Sequence, residues 1–403
     1  MSRRRSAIAT LAVLSVFAFL YSLVLVIPVH VGDVSALWSS RGHGWFGDVL
    51  GRMIDGFRFL WGSAVMVEGY PVAPASGWPT VVFVALLAGL VYASLWTGSE
   101  GAFAVAGRVL CASVLAGGLT NLFVVVQTVR GIRGGLESLP TVVWALPGDG
   151  IWLGLVVGVF GGYAAYAASA FATVAAIALR GDGGTGDSVT AAEAPETALK
   201  TSAGRARAAR IATWGSLPTL VLALVGGFVW DYGPDADPYG AEVSPRQAWV
   251  RLVWFAHATL SAPNDPYALG GSFETSIWLP RAVTSAVLVV LVWLAIYLVV
   301  ARWPPEGGPG AFGIVVQCWG LVAVLAAAVG LLEGAFFQQA EFAGSALYWA
   351  LETAADGVRF AACFGWLTGV AVVLAHRLSR GVQTDGEAVE AAKTIEAAEA
   401  EVG

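Results

Sequence analysis

The chain carries little charge for its length, and that shortage excludes an ordinary water-soluble domain. Only 12% of its 403 residues are Asp, Glu, Lys or Arg, whereas soluble globular domains carry about a quarter. Hydrophobic residues make up 57% of the chain, so long apolar runs must be buried in something other than a water-soluble core. Because runs of this kind cross a bilayer as helices, we predict an all-α integral membrane protein.

Residues that carry most enzyme chemistry are also scarce. Cys111, Cys318 and Cys363 all lie in apolar stretches without a C-x-x-C pair, which excludes a disulfide framework and a zinc ribbon. The four histidines are dispersed, so their spacing offers no metal site and no pair of nucleophile and base. We therefore expect no catalytic residue, no metal, no cofactor and no enzymatic activity.

The net charge of -6 lies largely in tails and loops. An acidic balance of this kind argues against a surface that binds nucleic acid or anionic lipid.

Windows between consecutive charged residues predict eight transmembrane helices, since about 20 apolar residues cross the hydrocarbon core. The windows are 6–32, 69–99, 109–129, 150–179, 211–230, 282–301, 307–332 and 360–376. Basic residues flanking them place both termini in the cytoplasm of a multi-pass plasma-membrane protein. All basic residues except Lys200 and Lys393 are arginine, which is typical of a G+C-rich prokaryote.

The eight windows divide into two halves with the same layout. Each half has a span, a long external loop, a span, a short inner turn, a span, a shorter external segment and a span. We interpret this as two tandem parallel four-helix repeats, related by an axis along the membrane normal. The predicted division is 1–180 for the first repeat, 181–210 for a cytoplasmic linker, 211–377 for the second repeat and 378–403 for a cytoplasmic tail.

The fourth and eighth windows carry small residues at every fourth position, as a glycine zipper does. The two stripes are Gly150, Gly154, Gly158 and Gly162, and Gly357, Ala361, Gly365 and Gly369. Small residues let helix backbones approach closely in lipid. We expect spans four and eight to be the closely packed inner helices and the halves to meet through glycine-lined seams, although membrane helices are rich in glycine in any case.

A candidate external mouth precedes each stripe, at Trp144 and Asp149 in one half and at Trp349 and Asp356 in the other. The two aspartates are expected to cap helix N-termini, and an acidic substrate site is the alternative interpretation. Thr120, Asn121, Gln127 and Gln317 are expected to form hydrogen bonds between helices.

The eight-span plan resembles the streptophobe family of very hydrophobic actinobacterial membrane proteins. Locally the resemblance rests on Trp366, Thr368 and Gly369 in the last span, with Ala262-Pro263-Asn264 approximating the family's frequent Leu-Pro-Asn. It implies an architecture and no catalytic residues, because no activity is assigned to the family.

Two functions fit these observations. The first is a non-enzymatic membrane scaffold or assembly partner that presents the candidate amphipathic helices 45–61 and 244–258 at the outer leaflet. Its partners would be membrane lipids or another membrane protein, and no nucleic acid. The alternative is a permease for a neutral or lipid-like small molecule, bound between the two repeats.

Overall fold

The structure is a computed structural model that describes residues 3–30, 66–67, 70–71, 78–96, 102–131, 149–179, 202–229, 260, 278–303, 310–336, 350 and 353–379. Long helices dominate these ranges. They are α1 (Arg3–His30), α2 (Trp78–Trp96), α3 (Ala102–Gly131), α4 (Asp149–Leu179), α5 (Ser202–Val229), α6 (Trp278–Val300), α7 (Ala311–Phe336) and α8 (Thr353–Ser379). Each of the eight windows predicted from the sequence falls on one of them.

Six of the helices are long and apolar enough to cross a membrane, as a multi-pass membrane protein requires. Their apolar stretches are Trp78–Leu95, Ala104–Val124, Gly204–Gly226, Trp278–Val300, Ala311–Gly334 and Thr353–Ser379. The remaining two helices contain shorter apolar stretches, Ser6–Tyr21 in α1 and Trp152–Ala168 in α4.

A short strand pair is the one described element that the sequence did not predict. β1 (Met66–Val67) and β2 (Tyr70–Pro71) are antiparallel, with Met66 opposite Pro71. The candidate amphipathic helices 45–61 and 244–258 lie outside the described residues.

Helix α5 begins at Ser202, inside the segment 181–210 that was expected to be a linker. The charge-free windows place its start later because Arg205, Arg207 and Arg210 interrupt the apolar run. A helix can continue past the hydrocarbon core, however, and its basic first turns then lie among the headgroups.

The described helices bury two main groups of side chains. One group is formed by α1 to α4 and also includes Val316 of α7. The other is formed by α5 to α8 and also includes Val114 of α3. Each group thus includes one buried side chain from the other half of the chain, so α3 and α7 lie where the two halves meet.

Two buried hydroxyl groups of the bundle are satisfied within their own helices. Thr10 donates to the Ser6 carbonyl at 2.8 Å, and Thr120 donates to the Ala116 carbonyl at 2.8 Å. This local bonding makes a polar side chain tolerable where no water is at hand.

Candidate functional site

The glycine stripe of α4 packs against α3. A methyl group at Gly154 would overlap the Ser113 carbonyl oxygen, and one at Gly158 would lie 2.9 Å from Leu110 Cδ1. A methyl group at Gly162 would lie 3.1 Å from the Ala106 carbonyl oxygen. The two helices therefore approach so closely that an added methyl group at these positions would force atoms of α3 to shift. Gly150 belongs to the first turn of α4.

The stripe of α8 packs in the same way against α7. Gly365 leaves room for the Trp319 indole, whose Cδ1 would lie 2.9 Å from an added methyl group. That indole donates to the Ala361 carbonyl at 2.8 Å. At Gly369 a methyl group would lie 2.6 Å from Val315 Cα. Gly357, the remaining member of the stripe, is buried.

The halves meet at two glycines that belong to neither stripe. A methyl group at Gly320 of α7 would lie 2.7 Å from Cys111 Cβ of α3, and one at Gly118 of α3 would lie 2.8 Å from Val358 Cγ1 of α8. The two stripes thus face α3 and α7 of their own halves, and Gly320 and Gly118 are glycines of the seam. A small-residue stripe indicates close approach, but it does not identify the neighbour.

The candidate external mouth is only partly within the described structure. Trp144 and Trp349 lie outside the described residues, and Asp149 begins α4. Asp356 does not cap the helix, because α8 is already helical at Thr353. Its Oδ1 instead forms an ion pair with Arg359 Nη1 at 2.6 Å, one turn later. Within the described part of the mouth, Asp356 therefore pairs with an arginine of its own helix.

A buried ionic group between α6 and α7 was not anticipated. Glu333 is only 3% exposed, accepts a hydrogen bond from the Thr284 hydroxyl at 3.0 Å and lies 3.6 Å from Arg281 Nε. In the sequence, Glu333 follows the apolar window 307–332 and was expected only to end it. A buried carboxylate requires such partners, since an unpaired charge is strongly disfavoured away from water.

Two of the expected interhelical hydrogen bonds differ from the prediction. Thr120 bonds within its own helix, and Gln127 is exposed. A buried hydroxyl pair does link helices elsewhere, where Thr219 of α5 and Thr368 of α8 lie 3.2 Å apart.

Charge separates the two ends of the helical bundle. We call one end the mixed-charge end, defined by the positions of the three acidic residues of the described ranges, Asp149, Glu333 and Asp356, and of Arg130, Arg281 and Arg359 along their helices. We call the other the arginine end, defined by Arg108, Arg205, Arg207, Arg210, Arg302 and Arg377. Arg108 is buried there and donates to the Ser94 carbonyl at 3.2 Å, in the last turn of α2. Such a donor satisfies a carbonyl that has no partner within its helix.

Within the described ranges no three His, Cys, Asp or Glu side chains come together as metal ligands would. The chain matches no protein-family model, no curated protein and no solved structure. Of the residues that carry the streptophobe resemblance, Thr368 is buried against α5, Gly369 faces α7 and Trp366 is half exposed.

Proposed function

We propose that the chain is a non-enzymatic plasma-membrane scaffold of eight transmembrane helices, built from two tandem parallel four-helix repeats. In this proposal the scaffold assembles with membrane lipids or with another membrane protein, and its architecture is of the streptophobe type. The assignment draws on helix packing, because the described side chains form no catalytic constellation.

The observation that carries the repeat is the matched docking of α4 on α3 and of α8 on α7. In the first pair Gly158 approaches Leu110 and Ser113, and Gly162 approaches Ala106. In the second pair Gly365 approaches Trp319 and Val322, and Gly369 approaches Val315. Positions 106, 110 and 113 have the same spacing as positions 315, 319 and 322, so the two helix pairs dock in the same register.

Contacts across the seam support a twofold relation between the halves. Gly118 of α3 reaches α8 at Val358, while Ala327 of α7 packs against a small cluster that contains Trp152 of α4 and Ala354 of α8. A twofold axis between α3 and α7 would exchange these two contacts. The close approach of Cys111 to Gly320 lies where such an axis would pass.

Helix length supports counting α1 and α4 among the spans. They contain 28 and 31 residues, which corresponds to more than about 40 Å at the rise of an α-helix. The hydrocarbon core is only about 30 Å thick, so both helices are long enough to cross it. Arginines at one end of the bundle favour an orientation with that end and both termini in the cytoplasm.

The filled seam favours a scaffold over the alternative, a permease for a neutral or lipid-like molecule held between the repeats. At Gly320 the backbone of α3 is too close for even an added methyl group, and at Gly118 the Val358 side chain of α8 fills the space. A solute path along this seam would require the central helices to separate.

Purification in native lipid discs, followed by protein and metabolite identification, tests the assignment. The scaffold would be supported by a protein that co-purifies in a fixed stoichiometry. This protein should be retained by the Gly89→Ala control and lost from Gly320→Val. Gly89 has no neighbour within 4 Å, whereas a side chain at Gly320 would push α7 away from α3. Uptake of a co-purified solute into liposomes that contain only this protein would contradict the scaffold and favour the permease.

A further inference from the structure

Three helices bring their ends together around one buried histidine at the arginine end. His376, near the end of α8, is 6% exposed. Its Nδ1 lies 3.2 Å from Nη2 of Arg207, in the second turn of α5. Trp303, just after α6, meets the imidazole edge to face, with ring centroids 5.4 Å apart and an interplanar angle of 79°. We call these residues the Arg207–Trp303–His376 cluster.

The cluster presents hydrogen-bond donors. An arginine side chain can only donate, so Nδ1 of His376 accepts from Arg207 and the neutral ring carries its proton on Nε2. The indole Nε1–H of Trp303 is buried and has no acceptor among the residues that the structure describes. A buried donor in this state is unfavourable until an acceptor reaches it.

The charged surroundings of the cluster select an anion. Arg205, Arg210, Arg302 and Arg377 are exposed on the same helix ends. No described residue at the arginine end is an aspartate or glutamate, so no carboxylate of the described ranges neutralises them. The net charge of the chain argues against an anionic-lipid surface, but the local charge of the described residues at this end is basic.

Apolar side chains beside the cluster indicate where the rest of the ligand would lie. Leu374 and Leu378 of α8 are 54% and 74% exposed, and Leu298 of α6 is 42% exposed. These leucines lie on helices long enough to cross a membrane, within two turns of Trp303 or His376 along the chain. Acyl chains would cover them, whereas a free phosphate ion would leave them bare.

We propose that the Arg207–Trp303–His376 cluster binds the phosphate group of an anionic phospholipid in the leaflet at the arginine end, with its acyl chains along α6 and α8. The guanidinium of Arg207 and the indole N–H of Trp303 both donate to phosphate oxygens. The site is independent of the proposed scaffold role, since a permease would present the same helix ends.

Binding is tested on the full-length protein in detergent, by native mass spectrometry and thermal unfolding with added phosphatidylglycerol. Phosphatidylcholine and inorganic phosphate serve as separate arms. Phosphatidylglycerol should bind and raise the unfolding temperature more than either of them. Equal protection by phosphatidylcholine would overturn the proposal, and equal protection by inorganic phosphate would reassign the cluster to a soluble anion.

Two pairs of charge-preserving variants separate a built site from diffuse attraction. Trp303→Phe keeps an aromatic ring against His376 but removes the N–H, and should weaken phosphatidylglycerol binding about 3- to 10-fold. Its control is Trp366→Phe, which removes an indole N–H that already donates to the Cys363 carbonyl at 2.9 Å. Arg207→Lys should weaken binding by a similar factor, whereas Arg205→Lys, at an exposed position of the same helix, should not.

Equal affinities within each pair would show that charge alone attracts the lipid, and would overturn the proposal. Folding is checked first by gel filtration. If Trp303→Phe does not fold, the arginine pair alone decides between the two outcomes.

Discussion

Replacing Gly154 with alanine tests the close docking of α4 on α3 with the smallest available change. The added methyl group would overlap the Ser113 carbonyl oxygen and lie 3.0 Å from Val114 Cα. Both are backbone atoms, so they can yield only if α3 and α4 move apart. Gly107→Ala is the matched control, because Gly107 is also helical but has no neighbour within 4 Å of an added methyl group.

The control isolates the cost of packing from the effect of helix propensity. Alanine favours a helix over glycine by about 1 kcal/mol, and both variants gain this contribution. Only Gly154→Ala carries the overpacking cost, which is typically about 1–3 kcal/mol. We therefore expect Gly154→Ala to have a free energy of unfolding lower than that of Gly107→Ala by about 1–3 kcal/mol.

Reversible unfolding in mixed micelles of a mild detergent and dodecyl sulfate, followed by circular dichroism, measures this difference. Gly369→Ala should behave as Gly154→Ala does, since its methyl group would lie 2.6 Å from Val315 Cα. If Gly154→Ala and Gly107→Ala unfold with the same free energy, the backbones are not in close contact and the matched docking of the two helix pairs loses its support.

Three further predictions concern other parts of the bundle. Glu333→Gln should lower the free energy of unfolding by about 1–3 kcal/mol, because Arg281 loses its counter-charge. Adding Arg281→Gln should restore part of the lost stability. If the double variant is less stable than Glu333→Gln alone, the pairing is refuted. Gly365→Leu should displace the Trp319 indole from the Ala361 carbonyl and abolish a monodisperse gel-filtration peak, so a stable, well-expressed variant would contradict the packing of α7 on α8. The orientation is tested in a variant whose native cysteines are replaced by alanine. There Ser188→Cys should react with an impermeant maleimide only in opened cells, whereas Ser244→Cys should react in intact cells. Reaction of both cysteines from the same side would exclude the proposed orientation.

The sequence predicted the helices well because the length of an apolar run is a local property. Charge-free windows located all eight, including α8, whose window of 360–376 was the shortest. Their limits were less accurate, since a charge was taken as the end of a span. Arg205, Arg207 and Glu333 show why this fails, because a helix can continue through a charged turn and a neighbouring helix can bury it.

Contacts between distant segments could not be predicted in the same way. The small-residue spacing located the stripes of α4 and α8, but nothing in one sequence identified α3 and α7 as the helices they face. Gly320 and Gly118 belong to neither stripe. That they allow α3 to approach α7 and α8 is visible only in the packed bundle. The Arg207–Trp303–His376 cluster draws on three helices far apart in the chain, so no local motif indicates it.

The two proposed repeats differ at the mixed-charge end. Both α2 and α6 begin with tryptophan and a proline in the first turn, so that alignment on Pro79 and Pro280 sets Thr284 opposite Phe83. Phe83 is fully buried and its ring is tilted against that of Phe17, with ring centroids 5.3 Å apart. Thr284 instead donates to the buried Glu333, which also faces Arg281. One half is closed by apolar packing at this level and the other by a directional polar network.

Such a network is a poor source of net stability, because the cost of removing its charges from water offsets much of their attraction. An apolar pair of the kind found in the first half would hold α6 to α7 at least as well. What the polar network adds is a fixed relative position of these two helices. Any functional difference between the halves is therefore expected where Arg281, Thr284 and Glu333 meet.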